Sequence, residues 1–191
     1  MRFRGVNHVE FSVVDYERSI QFYDKMFGWL GYKSFWTMDI EYRSTYYMTG
    51  LFPFIHSYIG IQPAENEECI EYQKHRTGIH HIALWARGKR EVDVFYEKFL
   101  LPEGIEVTDT PAEYPYYAPG YYAVCFLDPT GIRWELAFIP RLPGLGSIIR
   151  FFRAFQEMKE KYPHLKDRSW KDALRKLPGK VPAAEQENRE P

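Results

Sequence analysis

The sequence predicts an α+β chain in which one β-α-β-β-β unit is used twice and a helical extension follows. Three observations carry that reading. Laying the segment from Asn7 over the segment from His80, at a constant offset of 73 residues, matches His8 with His81, Phe22 with Phe95, Tyr23 with Tyr96 and Lys25 with Lys98. Val9 with Ile82, Phe11 with Leu84 and Asp24 with Glu97 add near matches, and such self-similarity in one ungapped window marks a duplicated unit. Each copy then changes period in the same way, from strand-like alternation to a helical stripe. Beyond Arg141 the chain departs from both copies and reads as an addition.

The elements follow in order. Residues 6–14 and 79–87 are short, apolar-rich and alternating, as strands are. Asp15 is a candidate N-cap for a helix through about Met26 that ends near Gly28, and Ile20, Tyr23 and Phe27 give it a core-facing stripe. The second copy repeats this over 89–101 with Val92, Phe95 and Phe99, stopping before Pro102. Aromatic and β-branched runs predict strands at 32–39, 42–49 and 54–62, then at 104–109, 121–127 and 132–139. The two modules are thus 5–63 and 78–140, joined by a charged linker at 64–77. In the extension, Leu145, Ile148, Ile149, Phe152, Phe155 and Met158 form an amphipathic stripe to about Tyr162. A second helix is expected over 168–177 and disorder over 178–191.

Composition narrows the function. With 191 residues, 45% apolar and 27% charged, the chain can bury a core. A net charge of −1 argues against a nucleic-acid binder that works by neutralising phosphates. Cys69 and Cys125 are too few for a disulfide scaffold or a cysteine zinc site. No apolar run is long enough for a signal peptide or a membrane span, so a globular cytoplasmic protein is expected. Aromatic residues reach 18%, more than a core needs, so some are expected to line a cavity. The charge is unevenly spread: residues 1–140 sum to −6 and residues 141–191 to +5. A basic extension on an acidic body is expected to dock on that body or on its neighbour in a homodimer.

Strand periodicity decides which side chains share a face. His8, Glu10 and Ser12 point one way on the first strand, and His81, Ala83 and Trp85 share the matching face of its repeat. On the last strand Arg133, Glu135 and Ala137 face together. A carboxylate set among apolar neighbours, as in Trp134-Glu135-Leu136, is costly unless paired or bound to a cation. Two imidazoles from repeat-equivalent positions and one carboxylate suit a divalent metal with open positions (Fe, Mn, Ni or Zn). A single strand histidine is ordinarily a hydrogen-bonded residue; the duplication is what lifts His8 and His81 above that. Glu10 is either an acceptor or base beside His8 or a solvated strand carboxylate. His80 pairs with Asn7 in the repeat and is expected to face away.

Asn7-His8-Val9, Arg18-Ser19-Ile20-Gln21-Phe22-Tyr23 and Phe27-Gly28 resemble the opening of the glyoxalase/bleomycin-resistance/extradiol-dioxygenase (vicinal oxygen chelate) superfamily. Gly78-Ile79-His80-His81-Ile82-Ala83 resembles the start of its second module, and Tyr117 to Tyr122 with Asp128 to Leu136 its closing hairpin. The resemblance implies paired βαβββ modules forming one cupped mixed sheet, with metal ligands on the first and last strands of each module. That carries the ligand role onto His8, His81 and Glu135. For the fourth position, the offset of the first strands puts Gln62 opposite Glu135, whereas aligning Pro63 with Pro140 puts Tyr58 there.

The resemblance implies bidentate chelation of vicinal substrate oxygens with stabilisation of an enolate or oxyanion. A glyoxalase-like lyase or isomerase would use Glu135 or Glu10 as base. Glyoxalase I enzymes use four protein ligands, and a last-strand carboxylate is missing from module one. Three-ligand sets are those of extradiol dioxygenases and the fosfomycin-resistance thiol transferases, and Phe27-Gly28-Trp29 is also similar to methylmalonyl-CoA epimerases. For a ring-cleaving dioxygenase His56 is the candidate acid-base histidine, but the expected catalytic tyrosine falls on Cys125. A non-catalytic ligand binder, like the bleomycin-resistance members, is the remaining alternative. Tyr58, Trp85, Tyr117, Tyr121 and Arg133 are the expected substrate-binding residues, with the Pro- and Tyr-rich loop 110–122 covering the cup.

Overall fold

The computed structural model describes residues 6–39, 43–51, 55–65 and 78–161. Module one runs β1 (His8–Val13), α1 (Tyr16–Trp29), β2 (Lys33–Asp39), β3 (Arg43–Leu51) and β4 (Ile55–Pro63). Module two runs β5 (His81–Trp85), α2 (Lys89–Phe95), β6 (Val107–Glu113), β7 (Tyr122–Leu127) and β8 (Arg133–Phe138), and α3 (Leu145–Lys161) follows. The β-α-β-β-β unit is therefore present twice, as the repeat predicts. Strand pairing stays within each module: one mixed sheet has the order β1-β4-β3-β2, the other β5-β8-β7-β6. In both, the first strand lies parallel to the last and the remaining pairs are antiparallel.

Local chemistry explains the boundaries. The Asp15 carboxylate accepts from the Arg18 backbone N–H at 3.1 Å, satisfying one of the orphan donors that open α1. Gly31, at φ +83°, turns the chain out of that helix. The second helix begins after Gly88 without a side-chain cap, and beyond Phe95 it widens into a π-helical turn over Tyr96–Leu100.

One strand is displaced from its expected place. The expected strand at 104–109 forms instead at Val107–Glu113, because the helix unwinds through a turn closed by the Ile105 N–H on the Leu100 carbonyl at 3.0 Å. Pro111 does not end this strand, since β6 lies at the sheet edge and its register is irregular there. The first part of the expected covering loop is thus an edge strand. The linker residues 66–77, the expected helix at 168–177 and the segment 178–191 lie outside the described residues.

The core holds the two modules to each other. Phe11 of β1, Tyr23 and Phe27 of α1 and Trp134 of β8 are all buried and meet in edge-to-face contacts 5.7–5.9 Å apart, with Tyr23 and Phe27 stacked at 5.4 Å. At their centre the Tyr23 hydroxyl donates to Asp128 Oδ2 at 2.5 Å and accepts from Trp134 Nε1 at 3.1 Å. Burial, reinforced by the Asp128 charge, pushes the Tyr23 phenol well up, so it remains a donor. The same carboxylate accepts from the Thr130 and Ile132 N–H groups, both at 2.8 Å, which closes the turn between β7 and β8. Trp29 against Phe95 and Phe22 against Phe99 join α1 to the second helix.

The chain divides into two compact units, Met1–Phe151 and Phe152–Pro191. Within the first, Arg150 Nε lies 3.1 Å from Glu113 Oε2, and Lys89 bonds the other oxygen of that carboxylate. Of the apolar stripe on α3, Leu145, Ile149 and Phe152 are exposed and Ile148, Phe155 and Met158 half-buried. Among the described residues no helix is long and apolar enough to cross a membrane.

Two outcomes are expected. Asp128→Asn keeps an acceptor for Thr130 and Ile132 but cannot take the Tyr23 proton; urea denaturation should show a loss of about 1–3 kcal/mol. Wild-type stability after the change would refute the linking role of this bond. Hydrogen bonding from Lys89, opposed by partial burial, holds Glu113 below its ordinary value of 4.5. Its contribution is fully present above pH 4.5 and lost as pH falls through the depressed value, so Glu113→Gln should flatten the acid limb of a melting-temperature profile.

Candidate metal centre

The register fixes which side chains share the open face of each sheet. In module two, His81 lies opposite Arg133 and Ala83 opposite Glu135, while β7 brings Cys125 opposite Glu135 from the other side. Glu135 is buried, and its Oε2 lies 3.4 Å from His81 Nε2. The Tyr121 hydroxyl donates to its Oε1 at 2.8 Å. Burial and the Glu135 charge raise the Tyr121 phenol, so it stays protonated as the donor. Two atoms bound ~2.0–2.2 Å from one tetrahedral ion stand ~3.3–3.6 Å apart. The Nε2–Oε2 separation falls in that range, and both groups are of the type that divalent ions take.

Each histidine is oriented by the residue before it. His8 Nδ1 lies 2.9 Å from Asn7 Oδ1, an atom that can only accept, so Nδ1 carries the proton and Nε2 is left as the lone-pair donor. His81 Nδ1 lies 2.8 Å from His80 Nδ1. His80 does not turn away from the site residue, as strand alternation alone would have it: it stands just before β5, where strict alternation has not begun, and its ring packs edge-on to that of His81 at 5.0 Å. Asn7 and His80 occupy equivalent places in the repeat. The sequence displayed that equivalence, but alternation concealed its use.

In module one, His8 lies opposite Tyr58 and Glu10 opposite Gly60. The Glu10 carboxylate accepts from Ser44 Oγ at 2.8 Å and from the Tyr46 hydroxyl at 3.0 Å, so it is a held group and not a freely solvated one. Gln62 is not the counterpart of Glu135. Glu135 sits opposite the second residue after His81, and the residue opposite the second after His8 is Gly60. The Gln62 amide instead donates to Ser12 Oγ at 3.0 Å. The offset of the first strands fails on the last ones because module two carries two more residues between them.

The remaining candidates fall around these two half-sites. Tyr58 and His8 border a cleft of about 260 Å³ with Asn7, Trp36, Met38 and Tyr46. Trp85 continues the His81 face and is 75% exposed. Arg133 holds Asp109 of β6 at 2.7 Å on the Glu135 face. Tyr117, exposed, stacks on Tyr114 and lies 5.4 Å from Tyr121. Desolvation pushes the Cys125 thiol up to about 12, so it is a neutral neighbour of Glu135 and not a thiolate. The backbone of His56 lies in β4, but its side chain is outside the described residues. Among the described residues no three of His, Cys, Asp and Glu gather into one metal-holding group. Within one chain the structure brings His81 to Glu135, and His8 stands with Asn7 and the cleft.

Residues 5–136 match the Glyoxalase/Bleomycin resistance protein/Dioxygenase superfamily. The uncharacterized protein YqjT of Bacillus subtilis (strain 168) is 29% identical over 133 residues, which span 69% of this chain and 96% of that protein. A crystal structure of a glyoxalase candidate from Bacillus halodurans superposes with a TM-score of 0.56 at 28% identity, over 70% of this chain and 95% of that one. A glyoxylase/bleomycin resistance protein/dioxygenase domain from Frankia sp. EAN1pec, 19% identical, shares the fold with a TM-score of 0.55 over 73% of this chain and all of that one. The extension carrying α3 falls outside the family match.

Tyr121→Phe removes the donor to a buried carboxylate and leaves the ring in place. In the presence of a chelator it should lower stability by about 1.5–3 kcal/mol in urea denaturation. An unchanged midpoint would mean that Glu135 is satisfied without it.

Proposed function

The chain belongs to the glyoxalase/bleomycin resistance protein/dioxygenase superfamily, and from that premise we propose that it is a divalent-metal-dependent lyase or isomerase acting on a small substrate with two adjacent oxygens. The observation that carries the reading is the His81 Nε2–Glu135 Oε2 pair at 3.4 Å, each member clamped from behind by His80 or Tyr121. His8, His81 and Glu135 would hold the ion. When bound, it supplies positive charge that polarises the chelated oxygens and steadies a developing enolate.

The chain's own groups do the rest. Tyr121 holds Glu135 Oε1, which turns Oε2 toward His81 Nε2 and the ion that the pair would share. Trp36, Met38 and Tyr58 form the apolar wall on which the remainder of the substrate lies. Arg133, fixed by Asp109, marks the Glu135 side of the face as the place for a carboxylate or carbonyl of the substrate. Because the two half-sites stand apart in one chain, a homodimer is part of the proposal: module one of one copy faces module two of the other.

The metal and the dimer are tested together. Wild type purified in metal-free buffer and reloaded should bind one divalent ion per chain, and His8→Ala and Glu135→Gln should each bind none. Mixing the two variants puts one intact site in each mixed dimer and should restore about a quarter of the wild-type ion content after random exchange. Wild type that holds no more ion than the variants would leave a non-catalytic binder and sink the proposal. Loaded enzyme should turn over methylglyoxal hemithioacetal or methylmalonyl-CoA; oxygen uptake with a catechol and ferrous iron would instead select ring cleavage.

A further inference from the structure

The two half-sites are built from the same parts in a different order. In module two, the rung two residues beyond the histidine carries Ala83 on the first strand and Glu135 on the last. In module one, the same rung carries Glu10 on the first strand and Gly60 on the last. Each rung thus pairs a carboxylate with a small residue, and the two strands have exchanged roles.

The glycine is what lets the exchange work. A Cβ at Gly60 would stand 3.0 Å from Glu10 Cγ and 3.2 Å from its carboxyl carbon, so the Glu10 side chain lies across the space that a β4 side chain would occupy. It would also stand 2.8 Å from Tyr46 Cε1, the ring whose hydroxyl bonds Glu10. The clamps correspond as well. Tyr46 holds Glu10 Oε1 as Tyr121 holds Glu135 Oε1, and Asn7 holds His8 Nδ1 as His80 holds His81 Nδ1.

We propose that Glu10 is the fourth protein ligand of the metal, delivered from β1 across Gly60 in place of the carboxylate that β4 lacks. The inference rests on the metal-dependent reading above and makes the set two histidines and two glutamates, one pair from each module. His8 and Glu10 are two apart on one strand and so leave the sheet on one side, as a chelating pair must. Ser44 and Tyr46 both donate to Oε1 and so leave the remaining oxygen for the ion.

The experiment is a cobalt(II) titration of the metal-free, full-length protein, followed by calorimetry and by the visible ligand-field spectrum. Glu10→Gln preserves size and an acceptor for Ser44 and Tyr46. It should weaken cobalt binding at least ~tenfold and alter the spectrum while leaving the chelator-treated melting temperature near that of wild type. Glu10→Ala removes the carboxylate altogether and should weaken cobalt binding at least as much as Glu10→Gln, whereas Glu10→Asp, which keeps it, should bind more tightly than either. Wild-type affinity and spectrum in Glu10→Gln, with cobalt still bound, would overturn the assignment and leave the metal reading standing. If wild type itself takes up no cobalt, the metal reading falls and this assignment falls with it.

Discussion

A single buried hydroxyl governs how this molecule is assembled. Tyr23 on α1 gives its proton to Asp128 in the turn before β8 and takes one from Trp134 on β8, so a helix of module one is bonded to two points of module two. Among the rings packed around it only Tyr23 and Trp134 carry polar atoms, and each is paired. Asp128 has a second duty through the Thr130 and Ile132 N–H groups, which set the turn and hence the register that brings Glu135 opposite Cys125 and Ala83. Core and site therefore share one anchor: the side of β8 that carries Trp134 is locked inward, and Glu135, one residue on, is held on the open face.

Much of this was legible in the sequence because duplication writes the same physical problem twice. His8 and His81 are recognisable as a pair since both the period and the flanking residues agree; Tyr23 is readable as a core-facing residue from the helical stripe and Trp134 from strand alternation. The buried carboxylate of Glu135 announced itself by its apolar neighbours. Less visible was anything that depends on how strands slide. Gln62 seemed to match Glu135 because a constant offset assumes equal spacing, whereas two additional residues between first and last strand in module two shift the rung to Gly60. His80 escapes alternation for a related reason: a residue at the entrance to a strand is not bound by the strand's alternation. The hydroxyls of Ser44 and Tyr46 could not have been foreseen at Glu10, since they arrive from a strand whose register only hydrogen bonding determines.

The extension obeys different chemistry from the body. Its tie to module two passes through Glu113, a carboxylate at the edge strand β6 shared by Lys89 and Arg150. Edge strands carry unpaired backbone groups and invite unwanted pairing, so a charged side chain engaged there, beside Pro111 and an irregular register, keeps the edge unattractive to other strands. The opposite charges of body and extension are at this point a specific contact and not merely a difference in composition.

The rung formed by Glu10 and Gly60 has a consequence for how such sites are recognised. Two residues facing each other across neighbouring strands project to nearly the same spot above the sheet, so either can supply a group there provided the other is small. Seen this way, a site position is a property of the cross-strand pair and not of one column in an alignment. Searches for ligand residues strand by strand would score such a module as lacking its acid, although the rung carries one on the neighbouring strand.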